Sequence, residues 1–180
     1  MARARNEVRF VADSMLGSIA RKLRIFGFDT LYAAHAEDSE ILKIGSDQGR
    51  LILTADRELF KRAVKAKADG VLVDCLSEFD DLVHIFEKAG VESVGSDQIG
   101  SRCSLCNGIL EAVSPDAAQD VLAEKIDLRN TELHQCKSCG KFYWEGSHML
   151  QLRTLARRIN SALTKIQRQS LSRDSAPQTS

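Results

Sequence analysis

The sequence predicts an α/β fold, a parallel sheet sandwiched by helices, followed by a small cysteine-bearing module and a basic C-terminal helix. Three observations predict it. Between residues 8 and 90, short β-rich apolar runs alternate with longer runs of helical period, the pattern of strands joined by helical crossovers. Four of the five cysteines then fall into two Cys-x-x-Cys pairs. Beyond them Leu152, Leu155, Ala156, Ile159, Leu163 and Ile166 resume helical spacing, with arginines on the other faces.

Taken in order, residues 8–12 read as the first strand. After Asp13 the apolar positions Leu16, Ile19, Ala20, Leu23 and Phe26 follow a helical period, with Arg21, Lys22 and Arg24 elsewhere on the cylinder and Gly27 as the stop. Residues 30–33 are the second strand. A helix begins at Asp38 or Ser39 as N-cap and ends near Gly49, and residues 51–54 form a compact third strand. Asp56 opens a helix that carries Leu59, Phe60, Ala63 and Val64 inward. A fourth strand at 70–73 and a helix from about Ser77 to Ala89 complete the unit, with Asp80 and Asp81 read as a solvated first turn. Gly95, Ser96, Gly100 and Ser101 make residues 91–101 linker-like. The reading is therefore one domain over 7–92, a cysteine module over 100–150, a basic helix over 151–168 and a disordered tail over 169–180.

Composition sets the outer limits. The chain has 180 residues, 43% hydrophobic and 28% charged, a soluble globular balance. No apolar run approaches the roughly 18 residues of a membrane span, and the charged N-terminus runs into Glu7 without the apolar core of a signal peptide. A cytoplasmic protein is expected. Twenty-five basic and 25 acidic residues cancel, but their distribution is polarised. Residues 1–100 carry 14 basic and 17 acidic, residues 101–145 carry 5 and 7, and residues 146–180 carry 6 and 1. Overall neutrality thus does not argue against nucleic-acid binding.

In a parallel sheet, ligands sit beyond the carboxyl ends of the strands. Asp13 and Asp56 both follow strands, and Asp38 opens the helix leading to the third. Each alone is explained by helix capping. Three at one rim suit a hard divalent cation, Mg²⁺ or Mn²⁺, which activates water and offsets charge on a phosphoryl oxygen. Glu58 and Asp74 are candidates for a fourth acid. A dehalogenase-type phosphatase is excluded, because Met15 stands where its second aspartate belongs; a phospho-acceptor receiver needs a second acid beside Asp13 and finds none.

The stretches FVADSMLGSIARKLRIFGFDT (10–30), DSEIL (38–42) and RLILTADREL (50–59) resemble the PIN-like Mut-seven C-terminal RNase domain. RCSLCN (102–107) and CKSCGKFYWEGSH (136–148) resemble the zinc ribbon fused to it. The resemblance implies a PIN-type fold and a metal-dependent, endonucleolytic ribonuclease, with Asp13, Asp38 and Asp56 as metal-site acids. The wider superfamily uses four acids, and three are matched here.

Cys103 and Cys106, then Cys136 and Cys139 after 29 intervening residues, have the spacing of a closed four-thiolate zinc site, with Asn107 and Gly140 placed for the knuckle turns. A redox role for one pair leaves the other unexplained. Cys75 reads as a small buried hydrophobe. Phe142, Tyr143 and Trp144 read as module core, with one ring free to stack on a base. Arg21, Arg24, Lys141, His148, Arg153 and Arg157 are the expected RNA contacts, with Lys22, Lys137 and Arg158 nearby. The alternative is an RNA- or ribosome-binding protein of the same fold without catalysis. Homo-oligomer formation is left open.

Overall fold

Four strands, β1 (Arg9–Ala12), β2 (Asp29–Tyr32), β3 (Leu51–Thr54) and β4 (Gly70–Leu72), form a wholly parallel sheet in the order β2-β1-β3-β4. A computed structural model describes residues 8–74, 76–122 and 131–174. The register aligns Ala12 with Tyr32 on one side and with Leu53 on the other. Alternation along each strand sends side chains to two cores. Phe10, Ala12, Leu51 and Leu53 face one, with Leu23 of α1 (Gly17–Ile25) and Leu82, Ile85 and Phe86 of α4 (Glu78–Lys88). Val11 and Ile52 face the other, with Ile41 of α2 (Asp38–Gln48) and Leu59 and Ala63 of α3 (Arg57–Lys65). A sheet covered on both faces needs continuous apolar strands, and β3 is buried at all four residues. The first core also holds an aromatic stack, with Phe28 centred 5.7 Å from Phe10 and 5.1 Å from Phe86.

The second unit is a three-stranded antiparallel sheet, β5 (Leu110–Val113), β6 (Leu133–Cys136) and β7 (Phe142–Trp144), with a short α5 (Gln119–Leu122). Among the described residues its apolar core is small: Ala118, Leu122 and Leu133 are buried together, with Leu110 beside the cysteines. So small a core needs a staple, and the cysteines supply one. The long helix α6 (Ser147–Asp174) then returns to the first unit, placing Ala156, Ile159 and Leu163 in the main core against α4.

Several sequence expectations change. Residues 91–101 are not a free linker. Val91 and Val94 are buried in the main core, Asn160 of α6 brackets Val94 with bonds of 2.7 and 3.0 Å, and Gly100 N–H donates to Ile25 O at 2.7 Å. The glycines there serve tight turns, Gly100 at φ +83°. The last helix continues to Asp174 rather than stopping near 168. Asp81 is buried, not solvated: it stands one turn before the buried Ile85 on the same face of the helix. Glu37, not Asp38 or Ser39, precedes α2 as N-cap and makes no capping bond. Gly27 does stop α1, at φ +90°, where a Cβ would lie 2.8 Å from Gln98 O. Cys75 and residues 175–180 of the expected tail lie outside the described residues. Among the described residues no helix is long and apolar enough to cross a membrane.

Candidate functional site

At the carboxyl edge, β1 and β3 are neighbours whose crossovers leave in opposite directions, through α1 on one face and α3 on the other. Asp13 and Asp56 follow these two strands and are joined through Thr54. The buried Asp13 carboxylate accepts from the Thr54 hydroxyl, from Ala55 N–H at 3.3 Å and from Met15 N–H at 2.9 Å. Thr54 Oγ1 in turn accepts Asp56 N–H at 2.9 Å. Asp56 caps α3, one oxygen accepting from Glu58 N–H at 2.6 Å and Leu59 N–H at 3.3 Å, while the other has no hydrogen bond among the described residues. Capping and a shared edge thus coexist. Asp38 is paired with Arg62 of α3 at 2.7 Å. The three acids are therefore not gathered into one cluster: among the described residues only the four cysteines bring three or more ligand atoms within 4.8 Å of one another. Of the candidates for a fourth acid, Glu58 is paired with Lys61 at 2.7 Å and Asp74 is exposed.

The cysteines do converge. Cys103 lies 3.7 Å from Cys139 and Cys106 lies 3.4 Å from Cys136, sulfur to sulfur. Zn–S bonds of about 2.3 Å in a tetrahedron require edges of about 3.8 Å, so the four sulfurs can hold one zinc ion with a closed shell. Asn107 at φ +69° and Gly140 at φ +73° make the two knuckle turns, each N–H returning to the carbonyl of the first cysteine of its pair at 3.0 and 2.9 Å. Burial raises the Cys103 thiol, but bonds from the Tyr143 hydroxyl and the backbone of Cys106 and Leu105 outweigh it and hold it at about 6. Gly108 N–H favours the Cys106 thiolate, yet burial and the surrounding sulfurs push it up to about 12. Four thiolates this close repel one another, and a divalent cation removes that penalty.

The family model described as the Mut7-C RNAse domain matches residues 8–156. The chain belongs to that family. It is also similar to the human protein named Exonuclease mut-7 homolog, 32% identical over 101 residues, a match that spans 55% of this chain and only 12% of that relative. The family is described as an RNAse domain, and the chain spans only a small part of that relative's length.

In this Mut7-C chain the cysteine module docks on the amino edge of the parallel sheet, opposite the carboxylates, through Arg50 and Asp29, which the sequence did not single out, and through Asn107 and Arg24, which it read in other roles. Arg50, just before β3, holds Asp29 of β2 by a two-pronged bond of 2.9 and 3.0 Å. Asn107 of the first knuckle donates to Asp29 at 2.7 Å and accepts from Thr30 N–H at 3.0 Å. Burial raises the Asp29 carboxyl, but the Arg50 and Asn107 bonds prevail and hold it below the usual carboxylate value. Arg24, expected on the RNA, is instead buried and donates to the carbonyls of Thr30, Ser104 and Leu105 at 2.9, 3.2 and 2.7 Å. It lies close enough to Cys103 and Cys106 to feel their charge. A guanidinium that donates to knuckle carbonyls beside the cysteine cluster ties the module to the sheet.

The other basic candidates divide. Arg153 is paired with Glu145, Arg158 lies over the Phe79 ring at 4.8 Å, and Lys22 pairs with Glu78 at 3.0 Å. Lys137 is taken by Glu111, and Arg157 is exposed. Arg21, Lys141 and His148 line one groove between α1, β7 and the start of α6. The three consecutive aromatics also separate. Phe142 packs with the small core, Tyr143 donates toward Cys103 Sγ at 3.0 Å, and Trp144 remains 40% exposed.

Proposed function

We propose that this chain is a metal-dependent ribonuclease that cuts within RNA strands at the carboxyl edge of its PIN-like sheet. One observation carries the reading: Asp13 and Asp56 stand at the point where crossovers diverge between β1 and β3, the place where open parallel sheets form a ligand crevice. Their chemistry suits Mg²⁺ or Mn²⁺, since Mg²⁺ is commonly held by one or two carboxylates with waters and substrate phosphates completing its shell. Asp13 and Asp56 would hold the ion, and Asp38 would join them on leaving Arg62. Such an ion makes water a better nucleophile at neutral pH and offsets charge on the phosphoryl oxygens.

The chain's own residues supply orientation. Met15 N–H, Ala55 N–H and the Thr54 hydroxyl fix the Asp13 carboxylate, and Thr54 couples it to the turn that carries Asp56. The zinc-bearing module and basic residues beyond 146 hold the RNA backbone.

The test is single-stranded RNA with Mg²⁺ or Mn²⁺, comparing the parent with Asp13→Asn and Asp56→Asn at matched folding. Loss of several kcal/mol of transition-state stabilisation predicts at least about 100-fold slower cleavage in each variant. Cleavage undiminished by both substitutions would overturn the assignment. A circular RNA, which has no ends, decides the mode: linear product supports internal cutting, and resistance of the circle alone would mean exonucleolytic action. A second reading, RNA binding without catalysis, is favoured by the Arg62–Asp38 pair. It predicts binding with no metal-dependent cleavage in the same assay.

A further inference from the structure

We infer that the groove between α1, β7 and the start of α6 anchors a single-stranded RNA segment, one base stacked on Trp144 and its phosphates on Arg21 and Lys141. The inference rests on the RNA-cleaving reading for its substrate class and adds where the uncut part of the strand lies. The groove encloses about 680 Å³, within the range of pockets that take a nucleotide-sized ligand.

The occupant follows from what the walls offer. Trp144 presents an indole at the groove while the two residues before it are committed to the module. Lys22 is paired with Glu78, Lys137 with Glu111 and Arg153 with Glu145. Arg21 and Lys141 stand on the groove wall itself. Among the described residues neither has a carboxylate partner, and Lys141 lies only over the Tyr143 ring, at 5.9 Å. Of the two wall carboxylates, Glu145 is held by Arg153, leaving Asp97 against Arg21, Lys141 and the carbonyl-bound Arg102. An aromatic face flanked by unpaired cations is the recognition chemistry of an unstacked base and its phosphates, which a duplex cannot present.

Position gives the groove its consequence. Helix α1 starts next to Asp13 at the carboxyl edge and ends at Ile25, on the groove wall. Its nine residues span about 13 Å. A strand held at Trp144 therefore runs along α1 past Arg21 before reaching the acids, and the cleaved bond lies a few nucleotides from the anchored base.

Trp144 is the chain's only tryptophan, so its fluorescence reports this groove directly. The experiment titrates full-length Asp13→Asn protein, without added Mg²⁺ or Mn²⁺, with a twelve-residue oligouridylate. A saturable quench is expected, with little quench from a duplex of the same length. Arg21→Ala and Lys141→Ala should each weaken binding several-fold and lower the slope of log affinity against log salt by about 0.7. With labelled RNA followed by anisotropy, Trp144→Ala should bind at least about five-fold more weakly. No saturable quench at low salt, equal quench by the duplex, or binding indifferent to all three substitutions would overturn the anchor. The two proposals fail separately. Cleavage with no quench removes the groove alone, whereas quench without cleavage in the parent removes the nuclease and leaves an RNA-binding groove.

Discussion

The Asn107 side chain ties the cysteine module to the sheet beside Arg24, so cutting it measures its own share of the coupling. Its side chain donates to the Asp29 carboxylate and accepts from Thr30 N–H while its backbone sits at φ +69°. Asn107→Gly keeps the backbone conformation and removes both bonds. A bond to a charged group contributes about 1.5–3 kcal/mol and a neutral one about 1 kcal/mol. With Asn107 only partly buried, the lower end applies, about 2–3 kcal/mol, or roughly 4–12 °C in Tm for a chain of this length. Asn107→Ala should lose about 1 kcal/mol more, from placing a Cβ in the left-handed region. The assay is urea unfolding of zinc-loaded protein followed by Trp144 fluorescence, which reads the module, and by far-ultraviolet circular dichroism, which reads both units. With the clamp cut, the fluorescence transition should come first. An Asn107→Gly protein within about 0.5 kcal/mol of the parent, with coincident transitions, would refute the coupling.

Two further predictions follow from the same residues and the cysteine cluster. Asp29 has a depressed folded value, so its contribution is present above its ordinary 3.8 and is lost as pH falls through the lower folded value. The stability advantage of the parent over Asp29→Asn should therefore hold above about pH 4 and shrink below it; an advantage unchanged at pH 2 would refute the assignment. At Gly108 an added Cβ would lie 2.8 Å from Cys136 Sγ and 2.5 Å from Ser138 Oγ. Elemental analysis should find one zinc per parent chain, with faster loss to chelator in Gly108→Ala; equal retention would mean that the knuckles have room to spare.

The strands and helices were legible because their signals are local. β3 falls on the expected residues 51–54, Asp56 and Ser77 cap the helices they precede, and Asn107 and Gly140 adopt the left-handed turns their positions suggested. The four cysteines were legible for the same reason, since each pair is set by a fixed spacing. What escaped depends on partners far away in sequence. Nothing near Arg24 indicates that its guanidinium will meet carbonyls about 80 residues later, and surface arginines on an amphipathic helix look alike until one is covered. The Asp29–Arg50–Asn107 clamp is invisible for that reason, as is the return of α6. The Gly- and Ser-rich 91–101 stretch reads as loose because composition reports turns, not whether Val91 and Val94 between them are buried.

The placement of Ala156, Ile159 and Leu163 makes the cysteine module an insertion within the sheet domain, not an appendage to it. Chain enters it through the 91–101 segment, pinned by the buried Val91 and Val94, and leaves it through a helix that closes the main core. Two tethers hold an inserted body in a fixed attitude, where one would let it swing. During synthesis α6 emerges after both cysteine pairs, so the first domain's core is completed only by chain made after the module.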